Sequence, residues 1–398
     1  MPAALRSYVV ITAAYWSFMI TDGALRMLVL LQFHLLGYSP LQLAYLFLLY
    51  EIMGVVTNLY AGWLAQKTGL LATLFLGLCL QILALLAMLG FSPDWPEVRA
   101  IVFVMLVQAL SGVAKDLAKM SAKSAVKSLA PNQNDRLFRL VALLTGSKNA
   151  IKGAGFFLGA TLLAVFGFAP ALIALIILLI GALLLVLFLR PQGLGAAKVR
   201  RKFQEVLSRS PNINQLSLAR LFLFAARDCW FVVAVPVFLY SAFASAGQIA
   251  FFVVGGFMAF WVIAYGGIQS IAPRILQKRR LSAAQLAALL CLFTLILAIA
   301  APYLSAVQLM VALFLFGGLF ALNSALHSYL VLAYSSEDQV SMDVGFYYMS
   351  NAAGRLFGTL LSGLTFQIAG LTGALFVAAL LAGCSYLAAR SLPEPTET

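Results

Sequence analysis

The chain has 398 residues, 63% of them hydrophobic and 10% charged, with a mean hydropathy of +1.00, a composition of an integral membrane protein rather than a water-soluble domain. Its 26 Lys and Arg against 13 Asp and Glu give a net charge of +13, a balance that suits nucleic acid, anionic lipid or an anionic solute, according to where the charges sit. Four cysteines (Cys79, Cys229, Cys291, Cys384) scattered over separate apolar segments and two isolated histidines, His34 and His327, offer no readable metal, disulfide or thiol-redox site.

A bilayer-spanning helix takes about 20 mostly apolar residues. The chain breaks at Gly, Pro and charge clusters into twelve such runs: 8–33, 41–65, 70–91, 98–124, 137–166, 170–190, 214–241, 248–272, 282–301, 304–333, 341–368 and 371–390. The first follows a lone basic residue, Arg6, without a small-residue cleavage signature, and reads as a retained helix. Odd-to-even connections such as 34–40, 167–169, 242–247 and 369–370 carry no Lys or Arg, whereas even-to-odd ones hold Lys67, Lys127, Arg136, Arg190, Lys198 and Arg274 among others. The positive-inside rule then places both termini in the cytoplasm. The connection 334–340, with Glu337 and Asp338, is an exception without an account.

The longest connection, basic and flanked by prolines, follows the sixth run and divides the chain into an N-terminal six-helix bundle (1–190), a cytoplasmic linker (191–213) and a C-terminal six-helix bundle (214–398). Beside twelve spans, its basic run serves orientation and contact with anionic lipid in preference to nucleic acid. "MITDGA" (19–24) and "AARDCW" (225–230) set Asp22 and Asp228 at matching depths in helices 1 and 7. Parallel six-helix repeats describe the major facilitator superfamily, so the expected fold is an all-α membrane protein of that kind. "AGWLAQKTG" (61–69) resembles the superfamily's Gly-x-Leu-Ala-Asp-Arg-x-Gly signature, with Gln66 where an Asp is usual. The gate associated with that Asp is expected to be weakened or replaced. The Gly-rich helix 5 lacks the proline of the antiporter signature and leaves the coupling mode open.

Charges inside the hydrocarbon carry the functional reading. At 1.5 Å per residue, Asp22, Glu51, Lys148, Arg227, Asp228 and Arg355 fall near the midplane, with Arg26 and Lys152 a turn beyond, and Arg220, Lys115, Lys119 and Asp116 toward the inner side. A charge there costs about 2.5 to 3.5 kcal/mol on insertion scales, so these groups face each other or water. Lys115 and Lys119, four apart in "SGVAKDLAKMSAKSAVK", share a helix face, as do Lys148 and Lys152; Lys123 and Lys127 are close enough to the surface to snorkel. Substrate contact for the first pair stands beside structural pairing with Asp116 or Glu51. No acid lies in 137–166, so Lys148 and Lys152 need a partner elsewhere or a bound anion, and Arg355 lacks an in-helix partner as well. Asp22 and Arg26 are spaced for an i, i+4 ion pair, and Arg227 adjoins Asp228.

Eight basic groups against four acids make a cavity that attracts a multivalent anion and disfavours a lipophilic-cation pump. Candidate substrate-binding residues are Lys115, Lys119, Lys148, Lys152, Arg227, Arg355 and Arg26; candidate coupling or orienting acids are Asp22, Glu51, Asp116 and Asp228. Asn323 and His327 are secondary polar candidates, a lone buried His being more often structural. Tyr15, Trp16, Trp230, Trp261, Tyr265, Tyr347 and Tyr348 are read as scaffold.

"TDGALRMLVLLQFHLLGYSP" (21–40), "YEIMGVVTN" (50–58), "QALSGVAKDLAKMSAKSAVK" (108–127), "LTGSKNAIKGAGFFLG" (144–159) and "ARLFLFAARDCWFVVAVP" (219–236) resemble the ArsJ group of organoarsenical efflux permeases over nearly the full length. That resemblance implies export of 1-arseno-3-phosphoglycerate, the arsenate ester made by cytosolic glyceraldehyde-3-phosphate dehydrogenase, and hence arsenate resistance. It implies a multi-pass protein of the bacterial inner membrane, with a small anionic substrate, a functional link to that dehydrogenase, no cofactor and no nucleic acid, acting as a monomer. Trivalent arsenic would call for clustered thiolates; dispersed cysteines agree with recognition through oxygen instead. An organophosphate or sugar-phosphate exchanger is the nearest alternative. A membrane enzyme or receptor is disfavoured, because no catalytic cluster and no room for a signalling domain is found.

Overall fold

The computed structural model describes residues 3–68, 70–129, 134–189, 210–279, 281–335 and 340–393. The side chains of the 61–69 signature, Lys123, Lys127, Glu337 and Asp338, and the linker up to residue 209, lie outside this description. Among the described residues there are helices and no strand. They are α1 (Ala3–Leu35), α2 (Pro40–Thr68), α3 (Leu70–Leu89), α4 (Glu97–Leu129), α5 (Asn134–Phe166), α6 (Phe168–Leu189), α7 (Pro211–Phe231), α8 (Ala234–Ala242), α9 (Ile249–Arg279), α10 (Ala283–Ala300), α11 (Ala306–Tyr334) and α12 (Val340–Ala389).

Two departures from a one-run, one-helix reading have local causes. The seventh run, expected to be continuous over 214–241, is interrupted between α7 and α8 at Val232 and Val233. Pro236 lacks an N–H, and its ring would meet the carbonyl four residues back, that of Val232. The N–H groups of Val233 and Ala234 are both taken by the Ser362 hydroxyl at 3.1 Å. A Ser362→Ala variant leaves these two buried donors without an acceptor, at about 1–3 kcal/mol each, and is expected to melt earlier in detergent than the parent; an unchanged melting temperature would refute this capping role.

In the other direction, α12 is continuous by hydrogen bonding, yet it has non-helical angles at Ala369 and at Gly370 (φ 60°, ψ −159°). Its apolar stretch, Asp343–Ala389, is 47 residues long, about twice what one crossing needs, so it turns at Gly370 and crosses twice. With α7 and α8 forming a single span, Pro211–Ala242, the described residues hold twelve segments long and apolar enough to cross a bilayer, as expected from the sequence.

Four of the short connections at one end of the molecule turn on glycine with positive φ: Gly37 (88°), Gly167 (82°), Gly247 (60°) and Gly370 (60°). After α1, the N–H of Gly37 reaches the carbonyl of His34 at 3.0 Å and that of Tyr38 reaches Phe33 at 3.1 Å, a Schellman close. At the same end Ser305 starts α11 with a capping box to Gln308. Apolar side chains of α6 and α10, such as Ile177, Phe188, Leu292 and Ile296, are exposed on the outside of the helical array, where a bilayer would cover them.

Glycine sets how closely the helices approach. A Cβ on Gly155 or Gly159 of α5 would lie 2.4 Å from the carbonyl oxygen of Ile20 or Ala24 on α1. A Cβ on Gly354 of α12 would lie 2.2 Å from that of Leu221 on α7, so the same device recurs in the second half of the chain. The halves meet chiefly along α2–α12 and α5–α9. There a Cβ on Gly363 would fall 2.4 Å from the oxygen of Pro40, and one on Gly255 2.6 Å from the Ala160 methyl.

Candidate functional site: a cationic cavity between the halves

Side chains from α1, α2, α4, α5, α7, α9, α11 and α12 line a cavity of about 260 Å³. All eight basic residues that the sequence sets inside the core line it: Arg26, Lys115, Lys119, Lys148, Lys152, Arg220, Arg227 and Arg355. Of the four acids, Glu51, Asp116 and Asp228 line it too, and Asp22 sits behind Lys152.

The carboxylates are shared. Glu51, 1% exposed, takes Arg26 Nη2 at 2.9 Å and Arg355 Nη2 at 2.6 Å on the same oxygen, Oε1. Asp228 takes Arg227 at 2.5 Å through Oδ1 and Arg355 Nε at 3.4 Å through Oδ2. Asp116 takes Lys119 at 3.3 Å and, more loosely, Lys115 at 3.9 Å, and it accepts the Thr57 hydroxyl at 2.9 Å. Asp22 accepts Lys152 Nζ and the Tyr50 hydroxyl, each at 2.6 Å. Six cations thus divide four negative charges among them. Aromatic faces hold several of them: Lys115 lies 4.1 Å from the Tyr50 ring centre, and Arg227 4.8 Å from that of Phe224, contacts that attract a cation without neutralising it. Lys148 lines the cavity one turn before Lys152 on α5.

The expected Asp22–Arg26 pair does not form. At Gly23 and Gly155, α1 and α5 touch backbone to backbone, a Cβ on Gly23 meeting the Lys152 carbonyl oxygen at 2.6 Å, and this contact lays Lys152 over Asp22. Arg26 turns instead to Glu51, over the rings of Phe47 and Tyr50 at 5.0 and 5.4 Å. Arg355, without a partner in its own helix, finds Glu51 and Asp228 on α2 and α7; among the described residues its pair with Glu51 is the ion pair that joins the two halves.

Asn323 and His327 lie fully buried outside the cavity lining, and their side-chain polar atoms have no hydrogen-bond partner among the described residues. Arg220, not picked out as a candidate, does line the cavity, as do Asn58, Gln269 and Asn351. Asn351 is one turn from Arg355 on the same face of α12 and Asn58 two turns from Glu51 on α2, and that spacing is a signal in the sequence. Of the aromatics read as scaffold, Tyr15, Trp261, Tyr265 and Tyr348 belong to the lining.

The family model of the Major Facilitator Superfamily matches residues 7–307. The chain belongs to the major facilitator superfamily. Among solved structures this facilitator is similar to a POT family transporter in complex with a thioalcohol-conjugated peptide, with a TM-score of 0.71 over 95% of this chain and 94% of that one. At 14% identity the likeness is one of fold. No curated protein sequence matches it. Membership makes the facilitator a multi-pass membrane transporter by family, with its cationic cavity between the two halves.

Proposed function

We propose that this facilitator exports a small organic polyanion, 1-arseno-3-phosphoglycerate, from the cytosol by alternating access, and so confers arsenate resistance. The observation that carries the reading is the cavity lined by eight basic residues, six of which share only four carboxylates. Such a chamber draws in a multivalent anion and repels cations. Arginine forks suit tetrahedral oxyanions, which they grip bidentately, while lysines act as point charges.

The organoarsenical identity is supported by the ArsJ resemblance, because each of its five blocks contributes side chains at the cavity: Arg26, then Glu51 and Asn58, Lys115 and Lys119, Lys148 and Lys152, and Arg220, Arg227 and Asp228. None of the four cysteines lines it, as suits a pentavalent arsenic ester met through oxygen rather than sulfur. In this reading both termini are cytoplasmic and the protein lies in the bacterial inner membrane. The units 1–190 and 214–398, joined by the basic linker, rock about the midplane site. Lys115, Lys119, Lys148, Lys152, Arg26, Arg227 and Arg355 collect the anion. Asp22, Glu51, Asp116 and Asp228 orient these cations when the cavity is empty. The incoming oxyanion competes with Glu51 for Arg355, loosening the ion pair between the halves. The cargo comes from glyceraldehyde-3-phosphate dehydrogenase acting on arsenate; the carrier works as a monomer, without cofactor, and contacts lipid but no nucleic acid.

Uptake into inverted membrane vesicles tests this. Enzymatically generated arseno ester is expected to accumulate with a preference of about tenfold or more over glycerol 3-phosphate, ~1.4 kcal/mol of discrimination. Equal uptake of the two would make it an organophosphate exchanger; uptake of neither would refute the polyanion reading.

A further inference from the structure

Arg220 differs from the cations that share the four carboxylates. Among the described residues no acid pairs with it, and its partners are neutral: Nε donates to Asn351 Oδ1 at 2.9 Å, and Nη1 donates to the backbone oxygen and the hydroxyl of Ser324, both at 3.0 Å. Ser324 is itself fixed, its hydroxyl receiving Gln269 Nε2 at 3.2 Å and its carbonyl the Ser328 hydroxyl at 2.8 Å. The guanidinium carbon lies 4.1 Å from the Phe224 ring centre and 5.0 Å from that of Tyr347. Held on three sides, Arg220 is only 5% exposed, yet it lines the cavity, and Nη2 makes no hydrogen bond among the described residues. A buried full charge without a counter-charge costs several kcal/mol, a cost that a bound anion removes.

Seven residues, two helical turns, separate Arg220 from Arg227 on α7, which places the two about 10 Å apart along the helix axis. Asn351, which orients Arg220, stands one turn from Arg355 on α12. One helix pair therefore carries two cationic centres, one already shared with carboxylates and one not.

We propose that Arg220 is a second anion subsite, which takes the far head of a two-headed oxyanion whose first head lies at the Arg227–Arg355 cluster. The inference rests on the polyanion reading above and makes it specific: the cavity selects anions with two charged ends on a short carbon frame over those with one.

3-Phosphoglycerate, with a carboxylate and a phosphate, and glycerol 3-phosphate, with the phosphate alone on the same frame, are the probes. Their dissociation constants would be measured by calorimetry on the purified full-length protein. The parent is expected to prefer the two-headed ligand by about tenfold or more, and Arg220→Gln to bring that preference to within about threefold. Asn351→Asp keeps the arginine in place and gives it the counter-charge it lacks, so the same collapse is expected there with melting undiminished, a result that a purely structural Arg220 would not produce. A preference that survives in both variants overturns the subsite, and so does loss of the two ligands in equal proportion from folded variants. A parent that binds neither ligand refutes the polyanion cavity itself.

Discussion

An Arg355→Ala variant is expected to reach the membrane in near-normal amount and to lose about two orders of magnitude in ester transport, in the lower part of the 2–5 kcal/mol that truncating a buried, hydrogen-bonded charge typically costs. Arg355 is the side chain that reaches both Glu51, at 2.6 Å, and Asp228, at 3.4 Å, so its removal takes a cation from the cavity wall and severs the ion pair between the halves. Folding survives because each carboxylate keeps another partner, Arg26 on Glu51 and Arg227 on Asp228. Arg355→Lys should recover only part of the activity, since an ammonium cannot span two carboxylates as a planar fork does. Vesicle uptake, normalised to membrane protein by immunoblot, checks this. Normal transport by the alanine variant would remove Arg355 from the site.

The second large effect is one of stability. Gly354→Ala places a methyl 2.2 Å from the Leu221 carbonyl oxygen and 3.0 Å from its Cα. Both are backbone atoms that cannot swing aside, so α7 and α12 have to part. Overpacking costs about 1–3 kcal/mol where side chains yield, and this site is expected at or above the top of that range. Separation would also draw Asn351 and Arg355 away from Arg220 and Asp228, so transport falls with stability. Gly256, on α9, is the control: a Cβ there meets nothing within 4 Å, and Gly256→Ala should stabilise by roughly 0.5–1 kcal/mol through lower chain entropy. Opposite shifts in melting temperature are expected in detergent. Equal shifts would dissociate glycine from the helix spacing.

The helices were largely legible because lipid imposes a plain rule: about 20 apolar residues per crossing, ended by glycine or charge. The gap between α7 and α8 was less so, since Val232 and Val233 are as apolar as their neighbours; Pro236 marked it, four residues downstream. The charges in the core were legible as charges, and their depth brought all eight cations to one cavity. Their partners were not. Local spacing pairs Asp22 with Arg26, but the choice of Lys152 follows from a backbone contact between α1 and α5 that no single-helix rule contains. Arg220 was passed over because what seats it, Ser324 and Asn351, is neutral and lies on other helices. Asn323 and His327, the secondary polar candidates, are buried outside the cavity lining, because the face a polar residue presents depends on which helix packs beside it.

The contacts where Gly363 meets the start of α2 and Gly255 meets α5 are made by main chain and methyl groups, with no formal charge taking part. Dissolved salt screens exposed charges beyond a Debye length of about 8 Å at physiological ionic strength, and so dims the pull of the chamber on a distant solute. It finds nothing to screen in these joints. Raising ionic strength should therefore slow loading while leaving closure of that face as tight as before.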